Sequence, residues 1–197
     1  MSTQPRSSSR LFLSLLLAAL LVPFGATIAD AITLRPISLD TLTRDSDAIV
    51  LGTVVAQQAR FERGVIWTTS TLEVEQCIAG DCADVATLEV RTPGGEVAGV
   101  AQRIAGVTAV EPGGTYVMFL ERGADRALRP VALVQGVVAV VPTASGRMAM
   151  EPSADVAVMA PDGRLIAHER PHQRRMEVAS LITIIQNLRA VTPSQPR

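Results

Sequence analysis

The stretch "VIWTTSTLEVEQC", from Val65 to Cys77, constrains this chain more than any other. Ile66, Leu72 and Val74 fall on one face of an extended segment, and Thr71, Glu73 and Glu75 on the other. A period of two with one charged face does not suit a helix; it specifies a half-buried antiparallel strand. Upstream, "AIVLGTVVAQQARF" from Ala48 to Phe61 is rich in Val and Ile and contains Gly52. It reads as a long strand that bends where the side chain is missing. Glu62 to Gly64 is the turn joining the two as a hairpin. "VATLEVRT", from Val85 to Thr92, is a third strand paired with the second.

The same grammar continues downstream. "TYVMFLER", Thr115 to Arg122, follows the turn "EPGG" and reads as a buried strand. "ALRPVALVQG" and "VVAVVP" read as two more, broken near Gln135 and Gly136. "RMAMEP", "DVAVMA" and "RLIAHE" are shorter, the last two joined by a turn at Pro161 to Gly163. Before the strands, Ser38 can cap a short helix through "LDTLTRDSD", with Asp40 suited to its positive first turn and Leu39, Leu42 and Ile49 inward. After them, Val178, Leu181, Ile182, Ile185 and Leu188 recur at helical spacing, an apolar stripe that should pack against the sheet. The expected class is mainly β: a small antiparallel barrel or sandwich between a short N-terminal helix and a C-terminal helix.

Residues 1–31 carry a different message. Arg6 and Arg10 precede the apolar run Leu11 to Val22, which is followed by Pro23, Gly25 and the small pair Ala29 and Ala31. That run has 12 residues, and a bilayer span needs about 20, so the segment reads as a secretory signal cleaved near Ala31. It has neither a lipobox cysteine nor adjacent arginines, which argues against a lipoprotein and against twin-arginine export. One domain over residues 32–190 and a disordered tail at 191–197 follow, in a secreted or periplasmic protein. Loss of Arg6, Arg10 and Asp30 with the leader leaves 16 Arg against 18 acidic residues, a net charge of −2. Such a balance attracts neither nucleic acid nor anionic lipid.

The two cysteines, Cys77 and Cys82, belong to "CIAGDC". In an exported protein, a pair this close reads as a disulfide closing the end of a hairpin. A zinc site needs four ligands, and no further Cys or adjacent His is present to complete one. "HERPH" sets His168 and His172 four apart, but Pro171 interrupts the helix that would align them, so neither a metal nor any other cofactor is expected. Nucleophilic catalysis is not signalled either: no GxSxG occurs, and "TASGR" at Thr143 to Arg147 reads as a hairpin turn.

"RTPGGEVAGVAQRIAG", Arg91 to Gly106, is rich in glycine but lacks a GK[ST] element and carries Glu96, so it is no phosphate cradle. It reads first as a structural turn with little strand or helix character of its own, Gly94 and Gly95 supplying positive φ and Gly99 and Gly106 close backbone approach. The functional alternative is a recognition loop formed by Thr92, Gly94, Gly95, Glu96, Gln102 and Arg103 facing a partner.

Taken together, "SLDTLTRDSDAIVLGTV" at Ser38 to Val54, "TSTLEVEQCIAG" at Thr69 to Gly80, "TPGGEVAGVAQRIAG" at Thr92 to Gly106 and "QG" at Gln135 to Gly136 resemble an uncharacterised group of bacterial secreted proteins with a TPGG…GxxQxxxG motif. The resemblance covers roughly Ser38 to Val141 and departs at "CIAGDC", where similar sequences carry a Lys-Gly turn. It implies a small barrel of the oligonucleotide/oligosaccharide-binding kind and no activity. The expected function is a non-enzymatic binding or structural module of the envelope, recognising an envelope or extracellular protein through the 92–106 loop or a strand edge. Two alternatives are a barrel that binds oligosaccharide or peptidoglycan fragments, for which aromatic residues are few, and a hydrolase using paired carboxylates such as Glu73 and Glu75.

Overall fold

A computed structural model of the protein describes residues 33–34, 37–104, 106–107, 110–150, 157–159, 165–166 and 175–191. These lie in one compact unit, Ala31–Arg197. Residues 1–31, expected to be a leader, the expected turn at Pro161 to Gly163, His168, His172 and the residues from 192 onward lie outside the described residues.

In chain order the elements are β1 (Thr33–Leu34), α1 (Leu39–Asp45), β2 (Ala48–Glu62), β3 (Val65–Gly80), β4 (Thr87–Pro93), β5 (Gly95–Val97), β6 (Val100–Gln102), β7 (Thr115–Arg122) and β8 (Leu128–Pro130). A 3-10 turn over Leu133–Gly136 leads into β9 (Val137–Thr143), β10 (Gly146–Met150), β11 (Ala157–Met159), β12 (Leu165–Ile166), β13 (Arg175–Glu177) and α2 (Val178–Val191). The described residues are thus mainly β with two helices, as the sequence pattern leads one to expect.

Eight strands form one sheet in the order β13-β10-β9-β7-β2-β3-β4-β8, and β8 also pairs with β7. Five strands, β2, β3, β4, β8 and β7, therefore close into a ring of pairings. The expected all-antiparallel arrangement fails at one junction: β4 and β8 are parallel, joined at Val90 opposite Leu128. The reason is parity. Strands that alternate in direction can close on themselves only in even number, so a ring of five must contain one parallel neighbour pair. A second parallel pair joins β1 to β11 in a separate three-stranded sheet, where β11 and β12 pair antiparallel.

Curvature comes from the long β2–β3 hairpin, whose register shifts three times, between Ile49 and Val50, Leu51 and Gly52, and Val54 and Ala56. Each shift is an extra residue that bends one strand and increases its twist. Gly52 sits at the middle one for lack of room: a Cβ there would lie 2.6 Å from the Glu73 carbonyl oxygen. β3 runs on to Gly80, past its predicted end at Cys77, because residues 77–80 pair with the start of β2.

The first half of β2, Ala48 to Val54, and most of β7 are buried on both faces, which is why β7 reads as a continuous apolar run. Val50, Val54, Met118 and Leu120 point into the ring with Leu72, Val90 and Leu128. Ile49, Leu51, Val117 and Phe119 point the other way, against Leu42 of α1 and Val178, Leu181 and Ile185 of α2. The helical stripe predicted for α2 does pack on the sheet, and Ile182 is partly buried beside it. Ser38 caps α1 as expected, its hydroxyl accepting from the Thr41 amide at 3.1 Å. The far end of α1 is closed by a residue no local signal marks: Arg189, near the end of α2, donates to the carbonyls of Thr43 and Ser46 at 2.9 Å each. Those carbonyls belong to the unpaired last turn of a helix, and a guanidinium suits both their lone pairs and the negative end of the helix dipole.

Two local expectations need correction. The 92–106 segment is not featureless: β5 and β6 form a two-stranded hairpin, Gly95 opposite Gln102 and Val97 opposite Val100. Its turn residues, Ala98 and Gly99, both take positive φ, 51° and 79°. Alanine is a poor advertisement for such a turn, which usually announces itself with Asn-Gly or Asp-Gly. "ALRPVALVQG" supplies only the three residues of β8 before the chain turns, because Ala132 and Leu133 also adopt positive φ, 50° and 55°. No helix among the described residues is long and apolar enough to cross a membrane.

Candidate binding surface

The register brings together residues far apart in sequence. Along β3 the side chains of Trp67 and Thr69 share a face with Pro93 and Arg91, their opposite partners on β4. Val90 stands beside Leu128, which sets Arg91 next to Arg129, and Glu121 of β7 stands opposite Arg129. A row of Trp67, Arg91, Arg129 and Glu121 thus crosses four strands on the outside of the ring.

Both guanidiniums lie over the indole, that of Arg91 at 5.0 Å from the ring centre and that of Arg129 at 5.2 Å. Cation–π attraction of this kind contributes about 0.5–1 kcal/mol where water has access. Two turns hold the arginines in place. Glu62, at the tip of the β2–β3 hairpin, pairs with Arg91 at 2.8 Å. Asp125, in the β7–β8 turn, pairs with Arg129 at 2.6 Å and lies 3.7 Å from Arg91. Partial desolvation pushes the Asp125 carboxyl up, but the Ala127 amide together with the hydrogen bond and charge of Arg129 outweighs it and holds the group below its ordinary range.

Beside this row the seam between β4 and β8 opens into a pocket of about 240 Å³. The opening has a backbone cause. Gly94 donates to Ile66 and Val74 to Ala86, so the even-numbered residues of β4 turn their backbone groups to β3 and the odd ones to β8. Beyond Val90 and Leu128, the next donors needed by the parallel ladder are the nitrogens of Pro93 and Pro130. Neither carries a hydrogen. The ladder stops after one pair, and Pro93, Val107, Pro130, Leu133 and Val137 line the space that remains.

The residues singled out at 92–106 divide into two groups. Thr92 is buried, and Gln102 is turned inward, its side-chain oxygen accepting from the Ile66 amide at 2.6 Å. Gly94 donates to the Ile66 carbonyl at 2.7 Å, and its own carbonyl accepts from the Thr68 hydroxyl at 2.7 Å. Gly95 is at φ 130°, and a Cβ there would run into the Thr68 hydroxyl and touch Ile66 and Ala59, so no side chain fits. These four fasten the hairpin to β2 and β3. Glu96 and Arg103 are exposed, as is Val100 on β6, at 64%. Gly99 has open space around it and serves the turn rather than a close approach.

Of the paired carboxylates, Glu73 is exposed and Glu75 is engaged, accepting from Thr53 at 2.9 Å and pairing with Arg147 at 2.8 Å. Cys77 and Cys82 are joined as a disulfide closing the β3–β4 turn. Sequence reasoning did not find the Trp67 row. The available signal was a large apolar residue on the polar face of an alternating strand.

No family model matches this chain, and no curated protein matches it.

Proposed function

We propose that the chain is an exported binding module of the cell envelope, a small barrel of the oligonucleotide/oligosaccharide-binding kind that recognises a protein partner through the β5–β6 hairpin. Numbered along the chain, the ring strands β2, β3, β4, β7 and β8 pair in the order 1-2-3-5-4-1, which agrees with a five-stranded Greek-key barrel of that kind. The Cys77–Cys82 disulfide suits the oxidising compartment that the leader implies.

One observation carries the reading. The hairpin is fastened to β2 and β3 through Gly94, Gly95 and Gln102, yet it presents Glu96, Val100 and Arg103 to solvent. An ordered projection with exposed apolar and charged side chains gains contacts on binding at little cost in ordering. The test is capture from envelope extract by the tagged protein, wild type beside a Glu96→Ala/Val100→Ser/Arg103→Ala variant whose urea midpoint matches wild type. A partner captured by wild type and lost by the variant supports the reading. Equal capture by both, or none by either, overturns it.

A further inference from the structure

The pocket at the β4–β8 seam is not used by the hairpin reading and stands apart from it. We propose that this pocket binds an apolar carboxylate, such as the C-terminal residue of a peptide, the apolar group entering between Pro93 and Leu133 and the carboxylate meeting Arg129. The opening is built into the backbone, because Pro93 and Pro130 withhold the donors that would close it. Its volume, about 240 Å³, is below the roughly 300–1,000 Å³ of sites for drug-sized ligands. It therefore admits one side chain and not an oligosaccharide.

The polar chemistry of the wall selects an acceptor. Asp125 and Glu62 engage the Nη2 atoms of Arg129 and Arg91 and hold both guanidiniums on Trp67. The Nε of Arg129 is buried and has no hydrogen-bond partner among the described residues. A buried N–H of this kind costs free energy until an acceptor meets it, and a carboxylate oxygen is the strongest acceptor a ligand can bring to a guanidinium. Arg91 and Arg129 are the cations of the lining, and Glu121, Glu62 and Asp125 offset their charge, so the preference for an acceptor rests on the unpaired Nε of Arg129 and not on net charge. The wall is also strained: Ala132 and Leu133 hold consecutive left-handed conformations, φ 50° and 55°. Non-glycine residues kept in such conformations cluster at ligand clamps.

Trp67 is the single tryptophan of the chain and forms part of the pocket rim, so its fluorescence reads occupancy directly. The full chain is titrated with acetyl-Ala-Ala-Leu as the free acid, with the same peptide as its C-terminal amide, and with acetyl-leucine. The free acid is expected to give a saturable change in Trp67 emission and to bind at least about tenfold more tightly than the amide. Arg129→Met removes the donor and keeps the stem; it should weaken the acid about tenfold and leave the amide unchanged. Val107→Phe fills the pocket from a loop and should abolish binding of both, which guards against misfolding of the Arg129 variant. Tighter binding of the tripeptide acid than of acetyl-leucine assigns the site to a peptide terminus; equal binding assigns it to a free apolar carboxylate. Equal affinity for acid and amide, or no saturable change with any probe at millimolar concentration, overturns the proposal. Glu96→Ala/Val100→Ser/Arg103→Ala should bind the acid as wild type does, so failure of this site and failure of the hairpin reading are told apart.

Discussion

Replacing Gly52 by alanine should cost the protein a measurable share of its stability, although the change adds one methyl group and removes a residue that disfavours strands. The new Cβ would lie 2.6 Å from the Glu73 carbonyl oxygen and 3.5 Å from the Val74 Cα. Both are backbone atoms, so no side chain can swing away. Restoring the 3.4 Å of ordinary contact needs about 0.8 Å of separation, which carries adjacent β2–β3 ladder bonds past the ~3.2 Å limit of a good hydrogen bond. Two weakened bonds at about 1 kcal/mol each and an overpacking cost of about 1–3 kcal/mol oppose a gain of about 0.4–1 kcal/mol from stiffening the unfolded chain. The net loss is about 2–5 kcal/mol. With a urea slope near 2 kcal/mol per molar, the midpoint followed by Trp67 fluorescence should fall by about 1 M or more. An unchanged or raised midpoint would refute the reasoning, since the unfolded-state term alone gives that result.

Three further outcomes follow from named interactions. Arg189→Met removes two charge-assisted bonds to the carbonyls of Thr43 and Ser46; a loss of about 2 kcal/mol should lower the Tm by about 4–8 °C, and a shift under about 1 °C would show that water caps α1 equally well. A Cys77→Ala/Cys82→Ala pair opens a loop of sequence separation 5, worth about 2 kcal/mol by chain entropy; the variant should fold with an unaltered Trp67 spectrum, and loss of cooperative unfolding in urea would refute a purely local role. Asp125 has a folded pKa below its unfolded value, so its pairing stabilises the fold above the ordinary carboxylate pKa of about 3.9 and is lost as pH falls through the lower folded value. Carboxyl NMR should place its midpoint below about 3.9, with Trp67 emission constant at higher pH; a midpoint above that value would contradict the Arg129 pairing.

The extent to which this protein can be read from its sequence follows the range of the interactions involved. Period-two alternation at Val65 to Cys77, the Ser38 cap, the turn at Glu62 to Gly64 and the stripe from Val178 to Leu188 are decided by residues within one or two turns of each other. All of these appear in the fold as read. The short Cys77 to Cys82 spacing is local in the same sense. The β5–β6 hairpin was missed because its turn is Ala-Gly, whose alanine carries no intrinsic preference for positive φ.

What the sequence alone determined is the alphabet: which segments are strands, which are helices, and which faces must be covered. Tertiary structure decided how the ring closes, and with it the candidate site. Five strands of alternating direction demand one parallel seam, and that seam sets Arg91 beside Arg129, 38 positions away in the chain. The two prolines that keep the seam open act only once Pro93 and Pro130 face each other across it. Neither proline, nor the Trp67 that both arginines cover, has a local neighbour that could announce its role, because each acquires one only when the strands are in register.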